Sequence, residues 1–246
     1  LILIEPSAPL RAEQARRLAD ADVHPRWLSA LHKIETDAPV ILIANEVLDC
    51  LPARQFIKTE GGWAERRIGV TDDNELTFGL TAIADGFETP GFDVEPGQII
   101  EISEQQAAFG RDLASLIRAA SGAALLIDYG RSKPEAGDTL QALRRHQKVD
   151  PLSTPGEADL TQWADFPLVL EAAVRGGADV TGCVGQGAFL KALGIEARAQ
   201  RLMQGRPEAA PVIQRQLDRL TAPDQMGELF KAAAIFSPRS LALPGF

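Results

Sequence analysis

The sequence predicts an α/β fold with a mostly parallel β-sheet that carries helices on both faces. Three short aliphatic runs, at residues 1–5, 40–46 and 124–130, turn polar only at their last residues. Such runs are typical of central parallel strands that are buried on both faces. Buried helical turns are the alternative, but the runs are short and Pro or Gly follows soon after each, which favours strands. Helical patterns lie between the runs, as the crossover connections of a parallel sheet require.

Capping residues predict where two of these helices begin. Ser7 is an N-cap residue type, and Pro9 suits the first turn of the helix that follows. Ser103 and Gln106 have the spacing of a capping box. The apolar residues after them fall on one helical face, and Gly122 ends the pattern. This helix leads directly into the third aliphatic run.

The chain is predicted to form a single domain over residues 1–246 with one insertion. Residues 55–80 have the alternation and turn residues of an antiparallel β meander. Residues 130–166 form a long polar stretch, which we interpret as a functional loop because idle connections in compact domains are shorter. Residues 205–246 are predicted to supply a C-terminal helix and strand that complete the domain.

Composition excludes several classes of protein. The chain has 246 residues, of which 45% are hydrophobic and 24% charged, and these values are typical of a globular protein. Its net charge of -9 argues against nucleic acid as a partner. No apolar stretch approaches the roughly 20 residues of a membrane-spanning helix, so membrane insertion is not expected. Two cysteines and three histidines cannot form a cysteine–histidine zinc cluster or a disulfide framework, so we predict no metal site and a reducing compartment.

Acidic and polar side chains appear where each predicted strand ends. In open parallel sheets, ligands bind outside the carboxyl ends of the strands. Glu5, the pair Asn45 and Glu46, and the pair Asp128 and Tyr129 are therefore expected along one edge of the sheet. This convergence predicts a binding cleft.

Glu5 is the candidate for holding a ribose. A carboxylate at the tip of an early strand can accept hydrogen bonds from both ribose hydroxyls. The alternative is that Glu5 caps the next helix or is simply solvated. Position alone does not decide between these two interpretations.

Asn45, Glu46 and Asp49 lie within five residues of one another. Paired acids in a cleft can orient a cationic substrate or remove its proton. The alternative is that Glu46 or Asp49 caps the helical turn after the strand. Capping can account for either acid alone, but it accounts less well for both acids together with Asn45.

A glycine-rich stretch at residues 182–187 superficially resembles a phosphate-binding loop. Its spacing is the reverse of the dinucleotide fingerprint, and no acid follows about 20 residues later. We interpret it as a tight turn. The basic stretch at residues 144–148 is interpreted as a solvated surface.

Several longer stretches together resemble one family. They are "NEVLDCLPARQF", "ALLIDYG", "GDTLQALRRHQKVDPLSTPGEADLT", "GQGAFLKALGIEAR" and "MGELFKAAAI". They are similar to the MidA-like (DUF185) S-adenosylmethionine-dependent methyltransferases, and the similarity covers nearly the whole chain. The resemblance implies a class I, Rossmann-like methyltransferase sheet and S-adenosyl-L-methionine as the cofactor. The glycine-rich loop of that family would precede Leu1, so the domain is expected to lack this N-terminal part.

The resemblance also implies roles for individual residues. Cofactor contacts are expected from six residues at strand ends and the turns that follow them: Glu5, Pro6, Ser7, Ala30, Leu31 and Asn45. The end of the second aliphatic run is expected to border the transferred methyl group and the substrate. We hypothesise that the Glu46 carboxylate aligns the guanidinium and accepts its proton, that Asp49 or Asp128 assists it, and that Tyr129 or Gln186 shapes the substrate pocket.

The predicted activity is therefore methylation of a protein arginine, since the family is similar in function to protein-arginine methyltransferases. The resemblance implies a respiratory complex I subunit as the target of the mitochondrial member of the family. A second copy of the chain, forming a homodimer, is a further candidate partner. The expected location is the cytoplasm for a bacterial member and the mitochondrial matrix for a eukaryotic one. Two alternatives remain at this point: a nucleotide-dependent oxidoreductase that uses Glu5 for the ribose of NAD, and a non-catalytic assembly or binding factor on a methyltransferase scaffold.

Overall fold

The computed structural model describes residues 1–83, 87–237 and 243–246. Its strands are β1 (Ile2–Ile4), β2 (Arg26–Leu28), β3 (Val40–Asn45), β4 (Arg54–Thr59), β5 (Gly62–Val70), β6 (Leu76–Ala82), β7 (Ile99–Ile102), β8 (Gly122–Arg131), β9 (Gln141–Arg144), β10 (Gln147–Val149), β11 (Asp159–Thr161), β12 (Ala164–Asp165), β13 (Asp179–Val180), β14 (Val184–Gly185) and β15 (Phe230–Ser237). Its helices are α1 (Ala8–Arg17), α2 (Glu104–Ala120), α3 (Phe166–Arg175), α4 (Gln186–Ala192), α5 (Ile195–Gly205) and α6 (Ala210–Thr221). Short helical turns cover Leu31–Lys33, Pro207–Ala209 and Pro223–Gly227.

The central sheet is built around β8. Strand β3 pairs with β8 in parallel, from Val40 opposite Gly122 to Asn45 opposite Ile127. The short strand β12 continues this parallel pairing at the end of β8. On its other side, β8 pairs with β15 in the antiparallel direction, and β13 and β14 pair with β15. The α/β class is confirmed, but the central sheet is mixed rather than mostly parallel.

The first aliphatic run lies outside this sheet. Strand β1 pairs in parallel with β2, and within the described residues these two strands form a sheet of their own. The prediction that all three runs share one hydrogen-bonded sheet is therefore wrong.

Helices α2 and α3 pack against each other and against β8 and β15. Their apolar faces bury Leu113, Ile117 and Val169 in the main hydrophobic core. The opposite face of β3 is open in the described part of the chain, where Ile41 is 89% exposed and Ile43 is 70% exposed. The expectation of helices over both faces is therefore not met along β3.

Both predicted helix starts exist, but the capping box does not form. Ser103 Oγ accepts the backbone N–H of Gln106 at 3.1 Å, as an N-cap should. The Gln106 side chain does not turn back to the cap. Its Nε2 donates to the carbonyl of Leu48 at 2.9 Å and its Oε1 accepts the N–H of Asp165 at 2.8 Å. Tertiary hydrogen bonds have displaced the local one.

The meander predicted at residues 55–80 is present as β4, β5 and β6. These strands are antiparallel, and β7 joins them at the side of β4 to make a four-stranded sheet. A buried polar network connects this sheet to the end of β8. Arg131 of β8 donates to Glu101 of β7 at 3.0 Å, and Gln55 of β4 donates to the same carboxylate at 2.8 Å.

The long polar stretch is structured, which corrects its interpretation as a loop. Strands β10, β9 and β11 form a three-stranded antiparallel sheet within it. The hairpin between β9 and β10 turns at Arg145 and His146, whose φ angles are 51° and 64°. The basic stretch thus consists of this turn and the strand residues on either side of it. Non-glycine residues rarely adopt two successive positive φ angles, so the sequence carried little signal for it.

Helices α4 and α6 approach each other closely at the glycine-rich stretch of residues 182–187. At Gly187, in the first turn of α4, a Cβ atom would lie 2.5 Å from the carbonyl oxygen of Thr221 at the end of α6. The glycine-rich stretch therefore permits a close approach of two helices.

Among helices in the described ranges, none is long and apolar enough to cross a membrane.

Candidate functional site

Asp128 holds the turn that follows β3. Its Oδ2 accepts the backbone N–H groups of Leu48 at 2.9 Å and Asp49 at 3.2 Å, and its Oδ1 accepts the N–H of Tyr129 at 2.9 Å. The side chain is only 1% exposed. Burial, followed by the negative charge of Asp49, raises the pKa of Asp128 to about 7, although the three N–H donors oppose the shift. Asp128 therefore positions the turn, and its catalytic role stays a prediction.

Asp49 and Tyr129 form a hydrogen-bonded pair. The Tyr129 hydroxyl donates to Asp49 Oδ2 at 2.6 Å. Burial and this hydrogen bond to a carboxylate both raise the pKa of Tyr129, so its hydroxyl stays protonated and remains the donor. Asp49 itself is buried. The pair presents a carboxylate with a fixed orientation.

Glu46 adopts a strained backbone conformation. Its φ angle is 53°, in the left-handed region that residues other than glycine, asparagine and aspartate rarely adopt. The side chain is exposed, and its Oε1 accepts a hydrogen bond from Asn45 Nδ2 at 3.2 Å. Strain of this kind costs about 1–3 kcal/mol and is concentrated at functional sites. The observed conformation therefore supports a functional role for Glu46.

Glu46 and Asp49, together with Tyr129, line a cavity of about 700 Å³. Its wall comes from β9, β11 and the start of β15, through the residues Gln141, Leu143, Ala158, Asp159, Leu160, Thr161, Leu229 and Phe230, together with Cys50. The ring of Phe230 lies 5.4 Å from that of Tyr129. We call this cavity, with Glu46, Asp49 and Tyr129, the acidic pocket. It suits a cationic group whose neighbouring carbon chain is apolar.

Glu5 lies at the end of β1, as expected. Its Oε1 accepts the backbone N–H of Ser7 at 2.8 Å and its Oε2 accepts from Gln14 Nε2 at 3.4 Å. The helix-capping alternative is therefore realised in part. An ionised carboxylate has about four acceptor positions, so Glu5 can still receive the hydroxyls of a ribose.

The negative charge of Glu5 acts on Cys50, a residue that lines the acidic pocket. Burial raises the pKa of the Cys50 thiol, and the charges of Asp49, Asp128 and Glu5 add to that shift. Such charge effects require short separations. Glu5, Asp49 and Asp128 therefore all act on the Cys50 thiol, and the gathering of the strand-end acids along one rim stays a prediction.

The remaining predicted site residues differ in their placement. Pro6 is exposed, and Ser7 uses its hydroxyl as the N-cap of α1. Ala30 is half-buried, whereas Leu31 packs in the hydrophobic core, so its side chain does not face the rim.

The structure places Gln186 away from the pocket that it was predicted to line. It is buried and donates to the carbonyl of Leu220 at 3.0 Å, which ties α4 to α6. It does not line the acidic pocket. The prediction that Gln186 shapes the substrate pocket is therefore wrong.

The residues present suit a nucleoside cofactor next to a cationic substrate. Glu5 keeps acceptor capacity beyond its two hydrogen bonds, and exposed Asn45 donates to Glu46 of the acidic pocket. Within the described ranges, no three acidic, histidine or cysteine side chains come together as metal ligands. The sequence did not predict that β9, β11 and β15 form a wall of the acidic pocket. The unusual length of the polar stretch was the one indication of it.

Comparison with known proteins agrees with this arrangement. A family model described as putative S-adenosyl-L-methionine-dependent methyltransferase matches residues 1–184. The chain is 34% identical over 205 residues to the Drosophila melanogaster protein arginine methyltransferase NDUFAF7 homolog, mitochondrial, covering 80% of this chain and 47% of that protein. It is 36% identical over 199 residues to the Xenopus tropicalis protein arginine methyltransferase NDUFAF7, covering 77% of this chain and 45% of that protein.

Two solved structures from Burkholderia thailandensis superpose on the whole chain. One is a COG1565 superfamily protein with a TM-score of 0.89 and 30% identity, of which 68% is covered. The other is a COG1565 superfamily member bound to S-adenosyl-homocysteine, with a TM-score of 0.86, 29% identity and 66% coverage. The chain spans about half the length of the curated relatives it matches. Because the family model covers most of its residues, the chain belongs to the family of putative S-adenosyl-L-methionine-dependent methyltransferases.

Proposed function

We propose that this protein transfers a methyl group from S-adenosyl-L-methionine to an arginine side chain of a protein substrate. The observation that carries the proposal is the acidic pocket, where the strained Glu46 lies beside the oriented pair of Asp49 and Tyr129. The names of the relatives as protein arginine methyltransferases support the choice of acceptor. The family match also favours methyl transfer over nicotinamide chemistry.

The acceptor sets the chemical demand on the site. A guanidinium has a pKa above about 12 and is a poor nucleophile while it carries its full charge. Carboxylates can bind it, align one nitrogen and accept the proton that this nitrogen loses. S-adenosyl-L-methionine, when bound, supplies an electrophilic methyl group on a sulfonium.

Each residue of the pocket has a distinct task in this proposal. Glu46 binds the guanidinium and accepts the proton from the nitrogen that forms the new N–C bond. Asp49, fixed by the Tyr129 hydroxyl, holds a second guanidinium nitrogen. Asp128 acts only by holding the turn that carries Asp49, and Glu5 would hold the ribose of the cofactor.

The finer features remain predictions from the family resemblance. A respiratory complex I subunit is the predicted substrate, and a homodimer is the predicted assembly. The relatives are named as mitochondrial proteins, and a cytoplasmic location is predicted for a bacterial member.

The test is Glu46→Gln in the full-length protein. Methyl transfer to a synthetic peptide with one arginine should fall by about 100-fold or more, in the range typical of a lost general base. Binding of S-adenosyl-homocysteine, measured by calorimetry, should stay unchanged. Unchanged turnover would remove Glu46 from the mechanism.

Glu46→Gly is the matched control for folding. Glycine adopts a φ of 53° without strain, so the free energy of unfolding should not fall by more than about 1 kcal/mol. Activity should still be lost, because the carboxylate is gone. If the wild-type protein binds S-adenosyl-homocysteine but methylates neither protein nor peptide, the non-catalytic scaffold is the correct interpretation.

A further inference from the structure

In the part of the chain that the structure describes, one face of the β5–β6 ribbon is apolar and uncovered. Paired residues of these strands share a face, and Ile68 lies opposite Phe78 while Val70 lies opposite Leu76. We call this face the apolar stripe, and its members are Ile68, Val70, Leu76, Phe78 and Leu80. They are 37% to 62% exposed. An exposed apolar surface of this kind usually marks an interaction site.

The opposite face of the ribbon has a different composition. Its residues along the same stretch are Arg67, Gly69, Thr77, Gly79 and Thr81, which are polar or lack a side chain. Further along that face the aromatic residues Phe56 and Trp63 are covered by Phe87, at ring distances of 4.6 Å and 5.5 Å. The apolar stripe has no such cover within the described residues.

Strand β6 is also an edge strand. It pairs only with β5 among the described strands, and all seven of its residues are exposed. Its sequence, LTFGLTA, contains no charge and no proline. Edge strands that avoid pairing usually carry such residues. The unpaired N–H and C=O groups of β6 can therefore receive an extended polypeptide.

The apolar stripe continues into the acidic pocket. Ile68 and Phe78 line a second cavity of about 670 Å³, which runs between the meander and the β9–β11 sheet. The two cavities share the residues Asp49, Cys50, Leu160 and Thr161. A chain that lies on the stripe can therefore reach Glu46 and Asp49 without leaving the surface of the protein.

The inner end of the stripe is rigidly held. The Arg66 guanidinium lies 4.5 Å from the centre of the Phe78 ring and makes two hydrogen bonds to Asp138, at 2.7 Å and 2.8 Å. Such a bidentate pair fixes the side chain. The surface is thus preformed next to the pocket, which reduces the entropy that binding must offset.

We propose that the apolar stripe and the edge of β6 bind an extended segment of the substrate polypeptide beside its arginine. This proposal rests on the proposed function and specifies its substrate. The segment carries apolar side chains at every second position, because one face of a strand added beside β6 would continue the apolar face formed by the stripe. Its main chain pairs with β6, and its arginine enters the acidic pocket through the second cavity.

The experiment compares two synthetic peptides on the full-length protein. Both contain one arginine and a flexible spacer of about six residues. The first continues with alternating valine and threonine, and the second has the same composition with its valines in one block. The first peptide should have a KM at least about tenfold lower, equivalent to about 1.4 kcal/mol, with similar kcat.

The stripe variant is Val70→Ser combined with Leu80→Ser, since both side chains are more than half exposed and their loss should not affect folding. It should raise the KM of the alternating peptide to that of the block peptide while kcat and S-adenosyl-homocysteine affinity stay unchanged. The matched control is Thr77→Ser with Thr81→Ser, on the opposite face of β6. It should leave both KM values as they are in the wild-type protein.

Negative results distinguish the docking proposal from the proposed function. Equal KM values for the two peptides in the wild-type protein would overturn the docking proposal and leave the proposed methylation intact. Absence of methyl transfer to any peptide would sink the proposed function, while fluorescence polarisation would still report whether the alternating peptide binds the stripe. If the stripe variant converts a dimer to a monomer in sedimentation without changing either KM, the stripe binds a second copy and the docking proposal is wrong.

Discussion

At the scale of single residues, the two neighbouring acids at the strand ends have opposite environments. Asp128 is buried and receives three backbone N–H groups, whereas Glu46 is exposed and adopts a strained φ angle. The sequence places both acids at the ends of aliphatic runs and cannot distinguish them. The difference arises because Asp128 lies under the turn that Glu46 begins.

The titration of Asp128 can be measured through stability. In the unfolded chain its pKa is about 3.9, while in the folded protein burial and Asp49 raise the pKa to about 7. The folded state therefore holds a proton between about pH 4 and pH 7 that unfolding releases. The free energy of unfolding should fall as pH rises through this window, by up to about 1.4 kcal/mol per pH unit.

Asp128→Asn should remove that part of the pH dependence. Urea denaturation of the wild-type protein and the variant at several pH values between 4.5 and 7 gives the two slopes. Groups far from this turn titrate equally in both proteins, so the difference between the slopes reports Asp128 together with the charged groups next to it. Parallel curves would show that the pKa of Asp128 is not raised.

At the scale of elements, α2 does more than cover the sheet. Its residue Gln106 bonds to the carbonyl of Leu48 in the β3 turn and to the N–H of Asp165 at the start of α3. The start of α2 at Ser103 could be predicted, because capping is a local interaction. The use of the Gln106 side chain could not be predicted, since its partners are 57 or more residues away in the chain.

Gln106→Leu should destabilise the protein by roughly 2–4 kcal/mol, because at least two buried backbone groups lose their partner at about 1–3 kcal/mol each. Leucine has a similar volume, so little of the effect should come from packing. The adjacent Gln105 is exposed, and Gln105→Leu should change stability by no more than about 0.5 kcal/mol. Urea denaturation compares the two variants. Equal effects would mean that the tertiary hydrogen bonds of Gln106 contribute nothing.

At the scale of the whole molecule, a buried ion pair joins the meander sheet to the central sheet. Arg131 and Glu101 have side chains that are 3% and 4% exposed, and the Thr139 hydroxyl donates to the same carboxylate at 2.5 Å. Removing one member of a buried pair leaves a desolvated charge. This connection also positions the meander next to the acidic pocket.

Arg131→Met should therefore cost about 3–5 kcal/mol of unfolding free energy. The surface change Arg111→Met serves as the control and should have little effect, since Arg111 is exposed. Adding Glu101→Leu to Arg131→Met should recover part of the loss, because no unpaired charge then remains. A double variant that is as unstable as the sum of the single variants would contradict this account of the network.

The sequence by itself determined the α/β class, the strands at the three aliphatic runs, the meander and the starts of α1 and α2. These features follow from periodicity, turn residues and caps, which act between residues that are close in the chain. The sequence also predicts that the strand-end acids gather at one rim, and this stays a prediction. The resemblance of longer stretches to one family identified the methyltransferase fold.

Only the tertiary structure decided which acid is exposed, where Gln186 lies, and that β9, β11 and β15 wall the pocket. It also decided the antiparallel direction of β15 and the open faces of β3 and β6. Each of these depends on contacts between segments far apart in the chain, such as Tyr129 with Asp49 across 80 residues. Local propensity carries no information about such pairs, because their energies exist only after the chain has folded.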